Sequence, residues 1–172
     1  MNTVRISVTI NGAPMGAHEV PEMLSMIDYL HEYCRLTGTK FGCGIGACRA
    51  CVVILDHPDG VGEAVPTCIA PAASFDGKKV RTIEGHAAGG TLSPLQQAFL
   101  EHFSFQCGYC TSGFVNEAQV LLEALERDPV PKAEIERRIL AAMDSHICRC
   151  TGYVRYYEAI RAVIVADPRL TR

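Results

Sequence analysis

The chain has 172 residues, 48% of them apolar, with a formal charge of -3. Its 16 Lys and Arg stand against 19 Asp and Glu with no basic cluster to track a phosphate backbone, which argues against a nucleic-acid partner. The nine cysteines are too sparse for a disulfide-stapled mini-protein, which carries roughly 8–10% Cys.

The N-terminal stretch alternates Val4, Ile6, Val8 and Ile10 with Arg5, Ser7 and Thr9, and Asn11-Gly12 follows, so a β-hairpin opens the chain. This stretch lacks the apolar region of a signal peptide. The longest aliphatic run, Val52 to Leu55, is far too short to cross a membrane. The sequence by itself therefore predicts a cytoplasmic chain. From Met23 to Leu36 the period becomes helical, with Leu24, Ile27, Leu30 and Cys34 on one face and Thr37-Gly38 as the stop. Cys34 on that face is expected to be a buried, inert thiol. Beyond a glycine-rich stretch, Cys51–Leu55, Val65–Ile69 and Val80–Ile83 read as strands, the first two separated by the turn Asp56-His57-Pro58-Asp59-Gly60.

At Gly85 the character changes. A short small-residue linker over 85–91 is predicted to separate a sheet domain, 1–84, from a helical domain, 92–172. Ser93, Pro94 and Gln96 form an N-cap, an N1 proline and a capping box ahead of Leu95, Phe99 and Phe103. Val115, Ala118, Leu122 and Leu125 mark a second helix, Ile135, Ile139 and Met143 a third, and Tyr153, Tyr157, Ile160 and Ile164 a fourth. Four such helices can close into a bundle. The fold class is α+β.

An odd number of cysteines in a chain without an export signal points to metal or redox chemistry. Cys43, Cys48, Cys51 and Cys68 have the C-x4-C-x2-C spacing, with a further Cys, of a plant-type 2Fe-2S ferredoxin. A thiolate-bound binuclear cluster is anionic and needs a loop rich in backbone N–H groups; Gly42, Gly44 and Gly46 let the chain curl that closely. Four thiolates also suit a structural zinc ion, so a zinc-stabilised, non-redox interaction module stands as the alternative. Cys107, Cys110, Cys148 and Cys150 form a second group, C-x2-C and C-x-C, placed between predicted helices whose positive N-terminal ends favour a negative cluster. His18, His31, His57, His86, His102 and His146 do not pair at ligand spacing and are expected to pack on surfaces and helix faces.

FGCGIGACRAC over 41–51, LSPLQQAFLEHFSFQCGYCTSGF over 92–114 and HICRCTGY over 146–153 together resemble the small iron-sulfur subunits of the xanthine oxidase and aldehyde oxidoreductase family of molybdenum hydroxylases. The resemblance covers nearly the whole chain. It implies a β-grasp, ferredoxin-like N-terminal domain followed by a four-helix bundle, each holding one 2Fe-2S cluster on its own four cysteines. It further implies that Gln106 and the backbone around Cys150 touch a molybdopterin cofactor carried by a large subunit. This chain would be the electron-transfer subunit, with a cytochrome c or FAD subunit as acceptor and an aldehyde or N-heterocycle as substrate. A diffusing ferredoxin is the lesser reading. A cytochrome partner would carry the complex to the periplasm or the membrane.

Three features depart from the resembled pattern. Arg49 stands where glycine is usual, Ser112 where proline is usual and could cap the next helix, and Gly44-Ile45-Gly46 is closer to members that pass electrons to a cytochrome.

Overall fold

A computed structural model describes residues 2–87 and 89–172. Strands β1 (Thr3–Ile10) and β2 (Ala13–Pro21) form the opening hairpin. Asn11 and Gly12 both take positive φ, 51° and 81°, the backbone of a tight primed turn. Strands β3 (Val52–Asp56), β4 (Gly62–Pro66) and β5 (Lys79–Arg81) complete a five-stranded sheet in the order β2-β1-β5-β3-β4. Within this sheet β1 and β5 pair parallel, and β1–β2, β3–β4 and β3–β5 pair antiparallel. The Val65–Ile69 strand is thus displaced: β4 ends at Pro66, and Thr67-Cys68 turn away, because Thr67 folds back to bond Cys51.

The predicted first helix is shorter than its apolar period suggests. Ser25 caps α1 (Met26–Asp28), and the chain then widens into a π turn, Tyr29–Tyr33. The wider turn stacks Tyr29 on Tyr33, with centroids 5.5 Å apart, beside His18 of β2. Arg35 at φ 58° ends it.

The second half contains α2 (Pro94–Glu101), α3 (Thr111–Arg127), α4 (Ile135–Met143) and α5 (Val154–Ala166). The capping box is present in full: the Ser93 hydroxyl accepts from the Gln96 amide and the Gln96 side chain accepts from the Ser93 amide. Ala88 of the expected linker lies outside the described residues. Ile83–His86 ahead of it form a short 3-10 turn.

The apolar run at 52–55 is buried on both faces of the sheet. Val53 and Leu55 face a core with Ile6, Val8, Met26 and Leu30, while Val52 and Ile54 are buried outside that core, on the strand against which α3 lies. A strand covered on both sides loses alternation, which is why this one reads as continuously apolar. A second core gathers Leu95, Phe99, Phe114, Leu125, Ile139, Tyr156 and Ile160 from all four helices.

Polar groups fasten α3 to the sheet. Buried Asn116 donates to the Val52 carbonyl at 2.6 Å and bonds the His86 ring at 2.7 Å. Arg81 of β5 spans Asp56 of β3 and Glu123 of α3, with ion-pair distances of 2.7 and 2.6 Å. Burial would raise the Glu123 carboxyl, but bonds from Arg81 and Gln119 outweigh it and hold it below the usual carboxylate value.

Asn116→Ala leaves the Val52 carbonyl without its buried donor and should cost about 1–3 kcal/mol, read as a lowered denaturation midpoint; an unchanged midpoint would contradict this anchoring. Because the folded pKa of Glu123 is depressed, its stabilisation is present above the unfolded value, about 4.3, and lost as pH falls through the lower folded one. The difference in melting temperature between wild type and Glu123→Gln should therefore hold near neutrality and shrink in acid. A pH-independent difference would contradict it.

Candidate functional site: two cysteine loops facing one crevice

The loop between the π turn and β3 wraps around its own thiols. Cys43 Sγ accepts from the Ile45 and Cys48 amides at 3.5 and 3.4 Å. These backbone bonds pull the Cys43 thiol down to about 6, toward the thiolate form that metal ligation uses. Gly44 and Gly46 have φ of 72° and 76°, which side chains rarely adopt, and a Cβ on Gly42 would lie 2.8 Å from Cys48 Sγ. All three predicted loop glycines thus have a geometric reason.

Cys51 and Cys68 are brought together by Thr67. Its hydroxyl and amide both donate to the Cys51 carbonyl, at 2.8 and 3.3 Å. Burial pushes the Cys68 thiol up to about 11, while the Gly46 amide opposes and the facing Cys51 and Cys43 add to the rise. The four thiols of the first group therefore interact with one another.

The second group is assembled from two inter-helix connections. Cys107 and Cys110 lie between α2 and α3, with Gly108 at φ 78° between them and Cys110 as the N-cap residue of α3. Cys148 and Cys150 lie between α4 and α5. The Cys150 thiol donates to Cys107 Sγ at 3.6 Å, and Cys110 faces Cys148. Burial raises the Cys110 thiol to about 11, opposed by the Tyr156 hydroxyl 3.6 Å away. Burial would also raise Cys148, but bonds from Thr151 outweigh it and leave that thiol below its ordinary value. Tyr156 is itself fixed by Thr111 at 2.8 Å and by stacking on Phe114 with centroids 4.2 Å apart.

The two loops meet. The Ile147 amide, one residue before Cys148, donates to the Cys48 carbonyl at 3.2 Å, and the Tyr109 hydroxyl donates to the Phe41 carbonyl at 2.5 Å. A crevice of about 380 Å³ has Cys43 and Cys48 on one wall and Cys107, Cys110, Cys148 and Cys150 on the other.

Among the described residues no three His, Cys, Asp or Glu side chains form a group fit to hold a metal ion. The fit to 2Fe-2S clusters rests on the loops themselves: two sets of four thiols, converging amides on Cys43, and a glycine cradle that a Cβ would fill.

Gln106 Nε2 donates to the Cys150 carbonyl at 3.0 Å, so the two residues expected at the pterin stand together at the exposed rim. Ser112 does not cap α3; it is buried in the first turn and donates to the Ala50 carbonyl at 3.4 Å, because Cys110 already begins the helix. Cys34 stands apart from both groups and is half-buried rather than buried, its thiol raised by burial and bonded to Tyr29.

Sequence reasoning missed Thr67, Thr151, Tyr156, Glu117 and His146. Glu117 had a signal: with Asn116 it interrupts the apolar face of a helix. His146, expected at a surface or helix face, is fully enclosed against Phe114, with ring centroids 4.5 Å apart.

Comparison with known proteins agrees with this geometry. Residues 8–73 match the 2Fe-2S iron-sulfur cluster binding domain family, and residues 82–161 match the [2Fe-2S] binding domain family. The chain is 40% identical to the nicotine 6-hydroxylase small subunit of Paenarthrobacter nicotinovorans, over 91% of this chain and 87% of that one. It is 38% identical to the xanthine dehydrogenase iron-sulfur-binding subunit of Escherichia coli O157:H7, over 88% of each. The crystal structure of quinoline 2-oxidoreductase from Pseudomonas putida 86 superposes with a TM-score of 0.81 at 33% identity, covering 99% of this chain and 94% of that one. These likenesses leave a zinc-stabilised, non-redox module without support. The chain belongs to the small iron-sulfur subunits of the xanthine oxidase family of molybdenum hydroxylases, oxidoreductases whose substrate chemistry is carried by partner subunits.

Proposed function

We propose that this chain relays single electrons from a molybdopterin-bearing large subunit to an acceptor subunit, using Cys107, Cys110, Cys148 and Cys150 as one ligand set and Cys43, Cys48, Cys51 and Cys68 as the other. The observation that carries this reading is the Ile147 to Cys48 hydrogen bond, which joins the two cysteine loops from the residue before Cys148 to the carbonyl of Cys48 itself. Bound 2Fe-2S clusters supply reversible one-electron chemistry. The chain's own residues supply the rest. Backbone amides at 45 and 48 offset thiolate charge in the first loop, and Thr151 and Tyr156 do so in the second.

Exposure and position support this direction. Cys107 and Cys150 are exposed, and the Gln106 amide bonded to Cys150 stands beside them, which suits a large subunit presenting its pterin there. The first loop exposes Phe41 and Ile45, a surface suited to the acceptor. We favour a cytochrome c acceptor, with an FAD subunit as the alternative, on the Gly44-Ile45-Gly46 run. The nicotine, xanthine and quinoline of the relatives' names are all nitrogen heterocycles, and an N-heterocycle is the substrate class we favour over an aldehyde.

We read residues 1–84 as a β-grasp ferredoxin-like domain, 85–91 as a linker and 92–172 as a four-helix bundle, supported by the two separate apolar cores. Among the described residues no helix is long and apolar enough to cross a membrane.

In the assembled complex, Cys51→Ala and Cys110→Ala should each remove about half the iron and labile sulfide and one of two distinct electron paramagnetic resonance signals. Substrate should still reduce the cluster remaining in Cys51→Ala, whereas the one remaining in Cys110→Ala should be reduced far more slowly. Equal reduction in both variants would contradict the order proposed.

A further inference from the structure

Arg49, Glu117 and His146 form a polar link between the two cysteine loops that neither ligand set requires. Arg49 lies between Cys48 and Cys51 with φ 57°, a backbone conformation that glycine adopts more readily. Its Nε and Nη2 donate to the same oxygen, Glu117 Oε2, at 3.1 and 2.6 Å, and Nη2 also reaches the Ala64 carbonyl of β4 at 3.3 Å. The ring of His146, two residues before Cys148, is 3.3 Å from that same Glu117 oxygen. One carboxylate on α3 thus engages the first cysteine loop and the segment leading into the second.

The three side chains are 20%, 14% and 0% exposed for Arg49, Glu117 and His146. Charges so enclosed gain little net stability over an apolar substitute, yet breaking one partner is costly, and their well-attested use is to fix a unique arrangement. The surrounding packing is equally restrictive. A Cβ on Gly113, one helical turn before Glu117, would collide with the Arg49 carbonyl oxygen, and Ser112 bonds the Ala50 carbonyl. The segment 48–50 is therefore held from below by α3 and from the side by Ile147.

We propose that Arg49, Glu117 and His146 act as a clasp that fixes the separation and orientation of the two cysteine loops, making Glu117 a positioning residue for electron transfer between them. This rests on the electron-relay reading above. Glu117→Gln keeps an oxygen that can accept from Arg49 and removes the charge; Glu117→Ala removes both. The two therefore separate position from charge.

The test uses the reduced complex, with both clusters paramagnetic, and reads the spin-spin splitting between them. Wild type should show a resolved splitting. Glu117→Ala should lose it or spread it over many values while keeping full iron content, and Glu117→Gln should restore it. Arg49→Ala should reproduce the Glu117→Ala loss, and the double variant should be no worse than either single one, as expected of residues acting as one unit. Should Glu117→Ala fail to load iron, Arg49→Ala with Glu117→Gln carries the same comparison. Unchanged splitting in iron-replete Glu117→Ala or Arg49→Ala would overturn the clasp; absence of two clusters from wild type would overturn the relay reading itself.

Discussion

The backbone of residues 48–50 is the point on which the structure turns. The Cys48 carbonyl takes the Ile147 amide, the Ala50 carbonyl takes the Ser112 hydroxyl, and the Arg49 carbonyl rests where Gly113 leaves no room for a side chain. These contacts join the two halves of the chain at the cysteines and not at a distance from them. A loop that offers amides to thiolates has few bonds left to hold itself, so its rigidity must come from outside. Here it comes from α3 and from the segment before Cys148.

That dependence explains the organisation of the sheet. Strand β3 leaves the first cysteine loop and is covered on one face by the core around Met26 and Leu30 and on the other by α3. Asn116 and the Arg81–Glu123 pair set the height of α3 over the strand, and Cys110 at its start fixes where the second thiol group begins. A helix that begins at one thiol group and lies on the strand leaving the other ties the two positions together. Substitutions far from the cysteines, on the α3–β3 contact, are therefore expected to act on the distance between the loops.

Much of this was legible in the residues. The cysteine spacings divided eight of the nine thiols into the two groups that the fold gathers, Asn11-Gly12 marked the hairpin, and Ser93-Pro94 with Gln96 marked the start of α2 down to its hydrogen bonds. What escaped were features with no local signature. The π turn at Tyr29–Tyr33 arises from stacking against His18 on another strand, and the early end of β4 arises from Thr67 bonding a residue sixteen positions away. Arg49 was visible as an oddity between cysteines; its partner on α3 was not, since a pairing across 68 positions is set by tertiary packing alone.

As proposed, one short chain holds two binuclear iron-sulfur centres in series. Mössbauer spectroscopy of the iron-57-enriched complex tests it most directly. Two binuclear sites of equal abundance are expected, distinct in their spectra because one lies in an amide-lined loop and the other between helices. A single type of site, mononuclear iron, or one cysteine set devoid of iron would contradict it.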